Sequence, residues 1–187
     1  MPDPSQLSIN GATLRKQWTL PDIIGGVAAM GIRGIAPWRD QVAQAGLKES
    51  AQRIRDAGLA VSGYCRGGLF PAIDRAGRHA ARDDNRRAVD EARALGAPCI
   101  VLVAGGLPQY SRPGSAASKD IAFARTQVHD AIAEMMEYAR EASMPLSIEP
   151  LHPAYAADRA CVNTTKHALD AASGRVVPAG RSGRAAR

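Results

Sequence analysis

The stretch Pro-Leu-Ser-Ile-Glu-Pro-Leu-His-Pro, residues 145–153, is a short apolar run that ends in a carboxylate and an imidazole held between prolines. Such a run is typical of a buried strand in a parallel sheet. In parallel α/β folds the ligand lies beyond the carboxyl ends of the strands. The stretch therefore predicts a buried strand that carries Glu149 and His152 to a candidate site.

The rest of the chain repeats one unit, a short β-type run followed by a longer segment with helical periodicity. This alternation predicts parallel βα units, about five in all. Five units are too few for a closed eight-stranded barrel, which normally takes about 250 residues. The pattern is therefore that of an open α/β sheet or a truncated barrel. The predicted strands are residues 7–10, 32–36, 59–64, 99–103 and 146–149, and the helices begin near residues 20, 47, 81, 121 and 163.

The βα pattern stops at residue 172, and we expect one domain over residues 1–172. Residues 173–187 hold no acidic residue and no periodicity, which predicts a disordered basic tail. This tail carries four arginines of a chain whose formal net charge is +6. Since the remaining body is nearly neutral and aromatic residues are only 4% of the chain, we expect no nucleic-acid binding by the folded part.

Cysteine usage and the amino terminus bear on the compartment. Cys65, Cys99 and Cys161 are widely separated and form no C-x-x-C pair, as expected of reduced thiols in a cytoplasmic protein. The first ten residues lack the basic and apolar regions of a signal peptide, and no apolar run reaches 18 residues. We therefore expect a cytoplasmic protein with no membrane partner.

Two residues of the opening stretch are candidates for chemistry. A carboxylate at the end of a buried apolar run is costly to leave unpaired, so a metal ion or a cation should lie nearby. Glu149 is thus a candidate metal ligand or acid/base group, and the alternative is a structural ion pair with an arginine. His152 could reach the same cavity as a substrate hydrogen-bond donor or proton carrier, or it could be an ordinary loop histidine.

Two further candidates follow earlier strands. Arg66, beside Gly67 and Gly68, could present a cation and exposed backbone N–H groups to an anion such as a sugar phosphate. The glycine pair is also compatible with a simple turn. Trp38 could form an apolar wall for the carbon chain of a ligand, or it could cap the core.

Several of these segments together resemble a known family. The pattern has four parts. The first two are Gly-Ile-Arg-Gly-Ile-Ala-Pro-Trp-Arg-Asp at residues 31–40 and Ser-Gly-Tyr-Cys-Arg-Gly-Gly at residues 62–68. The other two are residues 84–97 and Glu-Pro-Leu-His-Pro at residues 149–153, which is followed by Asn-Thr at 163–164. Residues 6–172 resemble the xylose-isomerase-like TIM-barrel superfamily, the sugar phosphate isomerases and epimerases. The resemblance implies an α/β fold that is a partial (β/α)8 TIM barrel of about five units.

The resemblance also implies a reaction. Glu149 would be the first of four ligands to a divalent Mn²⁺, Mg²⁺ or Co²⁺ ion, and the other three would lie on strands that this chain lacks. The intact family moves a proton on a sugar through an enediolate, by Lewis-acid catalysis with paired carboxylates. Because one carboxylate holds such an ion weakly, we expect impaired or absent activity. A frameshift or premature stop after Ala172 would explain the loss of pattern.

Two departures and two alternatives qualify the resemblance. Tyr155 stands where several epimerases carry a second Glu, and the first four strand ends carry no histidine, which argues against the related DNA-repair endonucleases.

One alternative is a non-catalytic module that binds a sugar or anion through Arg66, Trp38 and His152 without metal. The other is a subunit completed by a second polypeptide. The open edge of the fifth unit predicts self-association.

Overall fold

The structure is a computed structural model that describes residues 3–108, 120–155 and 159–173. Within these residues, short strands alternate with helices as the sequence predicts. The strands are β1 Ser8–Asn10, β2 Gly34–Ala36, β3 Ala60–Val61, β4 Tyr64–Gly68, β5 Ile100–Val103 and β6 Leu146–Ile148. The helices are α1 Leu20–Ala29, α2 Arg39–Ala45, α3 Leu47–Asp56, α4 Arg75–Ala94, α5 Ile121–Glu141 and α6 Thr165–Ala172.

The strands pair in parallel throughout, in the order β1-β2-β3 and β4-β5-β6. A parallel bridge between Trp38 and Cys65 joins the end of the β2 segment to β4. Strands β3 and β4 are the two halves of one barrel position, separated by Ser62 and Gly63. The result is an arc of five parallel βα units, which confirms the prediction of a partial TIM barrel.

Side-chain caps determine where several helices begin. Thr19 and Asp22 form a reciprocal capping box at α1, and Thr164 caps α6. Asp74 caps α4 at its first N–H groups, so that this helix begins six residues before the predicted start. Helix α2 was not predicted, because seven residues ended by Gly46 show less than two turns of periodicity.

The core lies between the inner faces of the helices and the sheet. Ile100 and Leu102 of β5 are fully buried, and the stripe of α5 that includes Val128 and Ile132 packs with them in one hydrophobic cluster. Among the described residues, no helix combines the length and the apolar character needed to cross a bilayer.

The last strand is less buried than predicted. Leu146 and Ile148 of β6 are half-buried and Ser147 is exposed, since within the described residues β6 pairs on one side only, with β5. Beside it, an apolar groove of about 480 Å³ runs between β6 and the ends of α5 and α6. The prediction that this strand is fully buried is therefore wrong. The predicted tail lies outside the described residues from position 174 onward.

Candidate functional site

The carboxyl ends of the strands meet at one edge of the arc, and Trp38 is fixed there by two contacts. Its indole Nε1–H donates to Asn10 Oδ1 at 2.6 Å, and the Arg15 guanidinium lies over its ring, 4.5 Å from the centroid. Arg15 in turn forms an ion pair with Asp40 at 3.0 Å. Trp38 is half-buried, so it forms a rigid apolar wall that remains accessible from outside.

Trp38 and Arg66 share one cleft of about 220 Å³ at these strand ends. The structure thus brings together the two predicted substrate-binding residues. Glu149 and His152 do not line this cleft. Its walls are formed by Arg15, Trp38, Arg39, Asp40, Arg66, Gly67, Gly68, Leu69 and Asp84.

Arg66 reaches the cleft because it is the extra residue of a β-bulge. Along β4 and β5, Cys65 is opposite Val101 and Gly67 is opposite Leu102, which leaves Arg66 without a partner in the ladder. A bulge redirects a side chain that would otherwise follow the strict alternation of a strand. The peptide bond between Cys65 and Arg66 is cis. Arg66 is half-buried, and its guanidinium forms no hydrogen bond or ion pair with any other described residue.

The glycines beside Arg66 serve packing rather than anion binding. The Gly68 N–H donates to Asn85 Oδ1 at 2.6 Å, and Asn85 Nδ2 donates back to the Gly68 carbonyl at 2.8 Å. Gly68 has φ +102°, and a Cβ there would overlap the backbone of Val103. The prediction that this N–H is exposed to an anion is therefore wrong. Residues 65–68, expected after the strand, belong to β4 itself.

Glu149 is the first residue after β6, where its N–H donates to the Leu102 carbonyl at 3.0 Å. Its side chain is exposed, so the expectation of a buried carboxylate is wrong, and it forms no ion pair with a described arginine. Exposure of the one-sided strand removes the desolvation cost on which that expectation depended. The charge of Glu149 still affects Cys65 on β4. Burial, and then the charge of Glu149, raise the pKa of the Cys65 thiol to about 11.

The described residues contain no group of three or more His, Cys, Asp or Glu side chains that could hold a metal ion. Glu149 supplies one oxygen-bearing group, whereas hard divalent ions take six or more ligands. The part of the chain that the structure describes therefore does not by itself fit the metal that the resemblance implies.

His152 is exposed, and its ring faces its own loop. Its Nδ1 accepts from the Ala154 N–H at 3.2 Å, and its carbonyl accepts from the Tyr155 N–H at 2.9 Å, which starts the short turn Pro153–Tyr155. Asn163 supports this loop by donating from Nδ2 to the carbonyls of Leu151 and Ala160. The structure thus places His152 near Glu149 in the chain, with a local hydrogen bond of its own.

Sequence reasoning missed an ionic network behind the cleft. Arg39 donates to both oxygens of Glu91, at 2.8 and 3.1 Å, and to both oxygens of Asp84, at 2.7 and 3.2 Å. The Tyr64 hydroxyl donates to Glu91 Oε2 at 2.9 Å. Glu91 and the other acceptors raise the pKa of Arg39, and Arg39 lowers that of Asp84. The seven-residue spacing of Asp84 and Glu91, two turns of one helix, was the available signal.

Parallel βα units with polar side chains gathered at the carboxyl ends of the strands are the architecture of TIM-barrel proteins. Residues 25–175 match the family described as Xylose isomerase-like TIM barrel, and the chain belongs to that family. The resemblance seen in the sequence is thereby confirmed.

Solved structures agree with this assignment. Protein SMc04130 from Sinorhizobium meliloti 1021 is 52% identical, with a TM-score of 0.85 over 94% of this chain and 61% of its own. Two more distant structures share the fold. The 3-keto-D-glucoside 4-epimerase YcjR from E. coli has 16% identity and a TM-score of 0.65, over 85% of this chain and 60% of its own. A D-psicose 3-epimerase from Clostridium cellulolyticum H10 has 13% identity and a TM-score of 0.69, over 89% of this chain and 58% of its own.

This chain thus spans less than two thirds of the length of these structures. No curated protein matches its sequence.

Proposed function

We propose that this chain belongs to an isomerase or epimerase that moves a proton on the carbon beside the carbonyl of a sugar or a related hydroxy-carbonyl compound. The observation that carries the proposal is the exposed carboxylate of Glu149 at the carboxyl end of β6, which has no ion pair with another described residue. The fold supports it, since two structures with the same fold bear the names of sugar epimerases.

The proposed chemistry is general acid/base catalysis. The Glu149 carboxylate accepts the proton of the C–H bond, and the electron pair of that bond moves onto the carbonyl oxygen to give an enediolate. Return of a proton to the opposite face of the same carbon gives an epimer. Its addition to the neighbouring carbon, with transfer of the hydroxyl proton to the other oxygen, gives the aldose or ketose isomer. His152, three residues further along, is the proposed second proton carrier, and Trp38 and Arg66 bind the substrate.

A divalent cation such as Mn²⁺, Mg²⁺ or Co²⁺ would stabilise negative charge on the substrate oxygens in such a reaction. Glu149 is proposed as one ligand to this ion. Since the described residues offer no group of three ligating side chains, we propose weak metal binding and impaired turnover for the chain as it stands.

Isothermal titration with Mn²⁺ tests the role of Glu149. We expect a dissociation constant of about 1 mM for the native chain, the weak end of oxygen-ligated sites, and no measurable binding for Glu149→Ala. Glu137→Ala, which removes an exposed carboxylate from α5, is the matched control and should bind as the native chain does. Equal Mn²⁺ binding by the native chain and Glu149→Ala would contradict the assignment.

Exchange of substrate hydrogen with solvent deuterium tests the reaction itself. D-Psicose and D-fructose are incubated in D₂O with Mn²⁺, and deuterium at the carbon beside the carbonyl is followed by NMR. We expect slow exchange by the native chain and none by Glu149→Gln, which keeps the shape of the side chain but cannot accept the proton. Exchange that is unchanged in Glu149→Gln would refute proton transfer by this residue.

One observation favours a second candidate, a non-catalytic module that binds a sugar or an anion. The cleft that holds Arg66 and Trp38 does not include Glu149, so binding there could occur without chemistry. Such a module should show no difference in Mn²⁺ binding between the native chain and Glu149→Ala.

The groove beside β6 bears on partners. We propose that a second copy of the chain covers this groove, because Met136 and Leu169 on the adjoining helices are exposed and β6 has a free edge within the described residues. The three free cysteines support a cytoplasmic location, which also remains a proposal.

A further inference from the structure

We infer that the substrate carries a carboxylate and that Arg66 is its anchor, which makes the ligand a sugar acid or another small hydroxy acid that also holds the carbonyl group needed for the proposed reaction. The inference rests on the proposed function in one respect, that the strand ends are taken as the substrate site. It adds the charge of the substrate and the position of its charged end.

The charges that line the cleft leave one cation unmatched. Three guanidinium groups and two carboxylates surround it. Arg15 pairs with Asp40 at 3.0 Å, and Arg39 pairs with Asp84 at 2.7 Å. Arg66 is the third cation, and among the described residues it has neither an ion pair nor a hydrogen bond. A half-buried guanidinium loses part of its hydration, so an anion in the cleft would compensate it.

The available donors suit a carboxylate better than a phosphate. Phosphate sites usually add several backbone N–H groups to a cation. Here the backbone N–H groups of residues 68–70 already have acceptors within the protein. The Gly68 N–H donates to Asn85, and the N–H groups of Leu69 and Phe70 donate to the carbonyls of Val103 and Ala104. The planar fork of one guanidinium matches the two oxygens of a carboxylate, and its single charge matches a monoanion.

The dimensions of the cleft indicate a small ligand. Its volume of about 220 Å³ is below the range of about 300–1,000 Å³ that is usual for drug-sized molecules. Trp38 forms one wall, and its N–H is already bonded to Asn10, so the ring offers apolar surface and no free donor. A short hydroxylated carbon chain could lie against this wall with its carboxylate on Arg66.

Fluorescence of Trp38 provides a direct binding assay. The chain has two tryptophans, and Trp18→Phe leaves Trp38 as the sole reporter. D-Gluconate is titrated in the presence of EDTA, with D-glucose and D-glucose 6-phosphate as the neutral and the phosphorylated counterparts. We expect gluconate to bind most tightly, and Arg66→Gln to weaken it about ten- to hundredfold, the usual effect of losing a hydrogen-bonded charge partner. Arg33→Gln, which removes an exposed arginine before β2, is the matched control and should change nothing.

Several results would overturn the inference: no gluconate binding by the native chain, equal binding by Arg66→Gln, or a tighter Arg66-dependent complex with glucose 6-phosphate. Arg66→Lys keeps the positive charge but lacks the planar pair of donors, so it should lose an intermediate amount of gluconate affinity. This variant provides the test if circular dichroism shows that Arg66→Gln does not fold. The gluconate titration contains EDTA, so it measures binding at Arg66 without any metal ion at Glu149. Failure of the Mn²⁺ experiment therefore leaves this result intact, and the two proposals can fail separately.

Discussion

Replacing Glu91 by alanine should destabilise the protein far more than a surface ion pair would suggest. Glu91 accepts two hydrogen bonds from Arg39 and one from the Tyr64 hydroxyl. The side chain of Tyr64 is fully buried in the native structure, so its hydroxyl loses its side-chain acceptor at a position away from solvent. Arg39 keeps its two bonds to Asp84 and is not stranded.

The size of the effect follows from these contacts. Leaving the buried Tyr64 hydroxyl unsatisfied costs about 1–3 kcal/mol. Loss of the part-buried Arg39–Glu91 pair, whose side chains are 20% and 26% exposed, adds about 1 kcal/mol. We therefore expect a loss of about 2–4 kcal/mol for Glu91→Ala and of about 1 kcal/mol for Tyr64→Phe, which removes the donor instead. Because the double variant has no unsatisfied hydroxyl, its loss should fall short of the sum by at least about 1 kcal/mol.

Urea denaturation followed by circular dichroism measures these free energies of unfolding. The matched control is Glu49→Ala, which breaks the exposed pair of Glu49 and Arg53 on α3, with side chains 56% and 50% exposed. That change should cost about 0.5 kcal/mol or less. A Glu91→Ala loss no larger than that of Glu49→Ala, or strict additivity with Tyr64→Phe, would refute the role assigned to the network.

Three further outcomes are expected. Asn85→Ala should cost about 2–4 kcal/mol in urea denaturation, because Asn85 is almost fully buried and bonds both the N–H and the carbonyl of Gly68; a loss below that of Glu49→Ala would contradict this. Glu149→Gln should lower the pKa of Cys65 below about 11, since a nearby negative charge disfavours the thiolate. The rate of Cys65 alkylation is measured at a series of pH values by peptide mass spectrometry. In Glu149→Gln this rate should rise at a lower pH than in the native chain, and an unchanged pH dependence would show that the two groups do not interact. Met136→Lys should raise the monomer fraction in sedimentation velocity, since it places a charge in the apolar groove, and a native chain that is already monomeric would contradict self-association there.

Five of the helices could be predicted from the sequence, although α4 begins six residues earlier than expected. Helix α3 begins at Leu47 as expected, and α5 shows the predicted stripe against β5. The continuation of the strand through residues 64–68 could not be predicted, because two glycines usually end a strand. Here they extend one, since Asn85 bonds Gly68 and β5 approaches too closely for a Cβ. That interaction depends on a residue 17 positions away.

The candidate site was partly predictable for a related reason. Trp38 follows β2, and parallel topology places the end of that strand beside β4, but Arg66 reaches the cleft through the bulge within β4. The surroundings of Glu149 were misjudged because the apolar run before it predicts burial, whereas burial depends on having a neighbour on both sides of the strand. The network of Arg39, Asp84 and Glu91 was missed because it depends on which face of α4 meets α2.

The ionic network behind the cleft and the bulge in β4 together explain which charged groups at the strand ends are available to a ligand. Arg39 could have served an anion, but Asp84 and Glu91 already neutralise it. Arg66 remains available because the bulge removes it from the strand's alternation. Glu149 is likewise unpaired among the described residues, on the far side of β5, and its charge acts on Cys65, the residue before Arg66. Binding of a hydroxy acid by its carboxylate at Arg66 would keep that charge away from Glu149, which does not line the cleft, whereas the reverse orientation would bring two negative charges closer together.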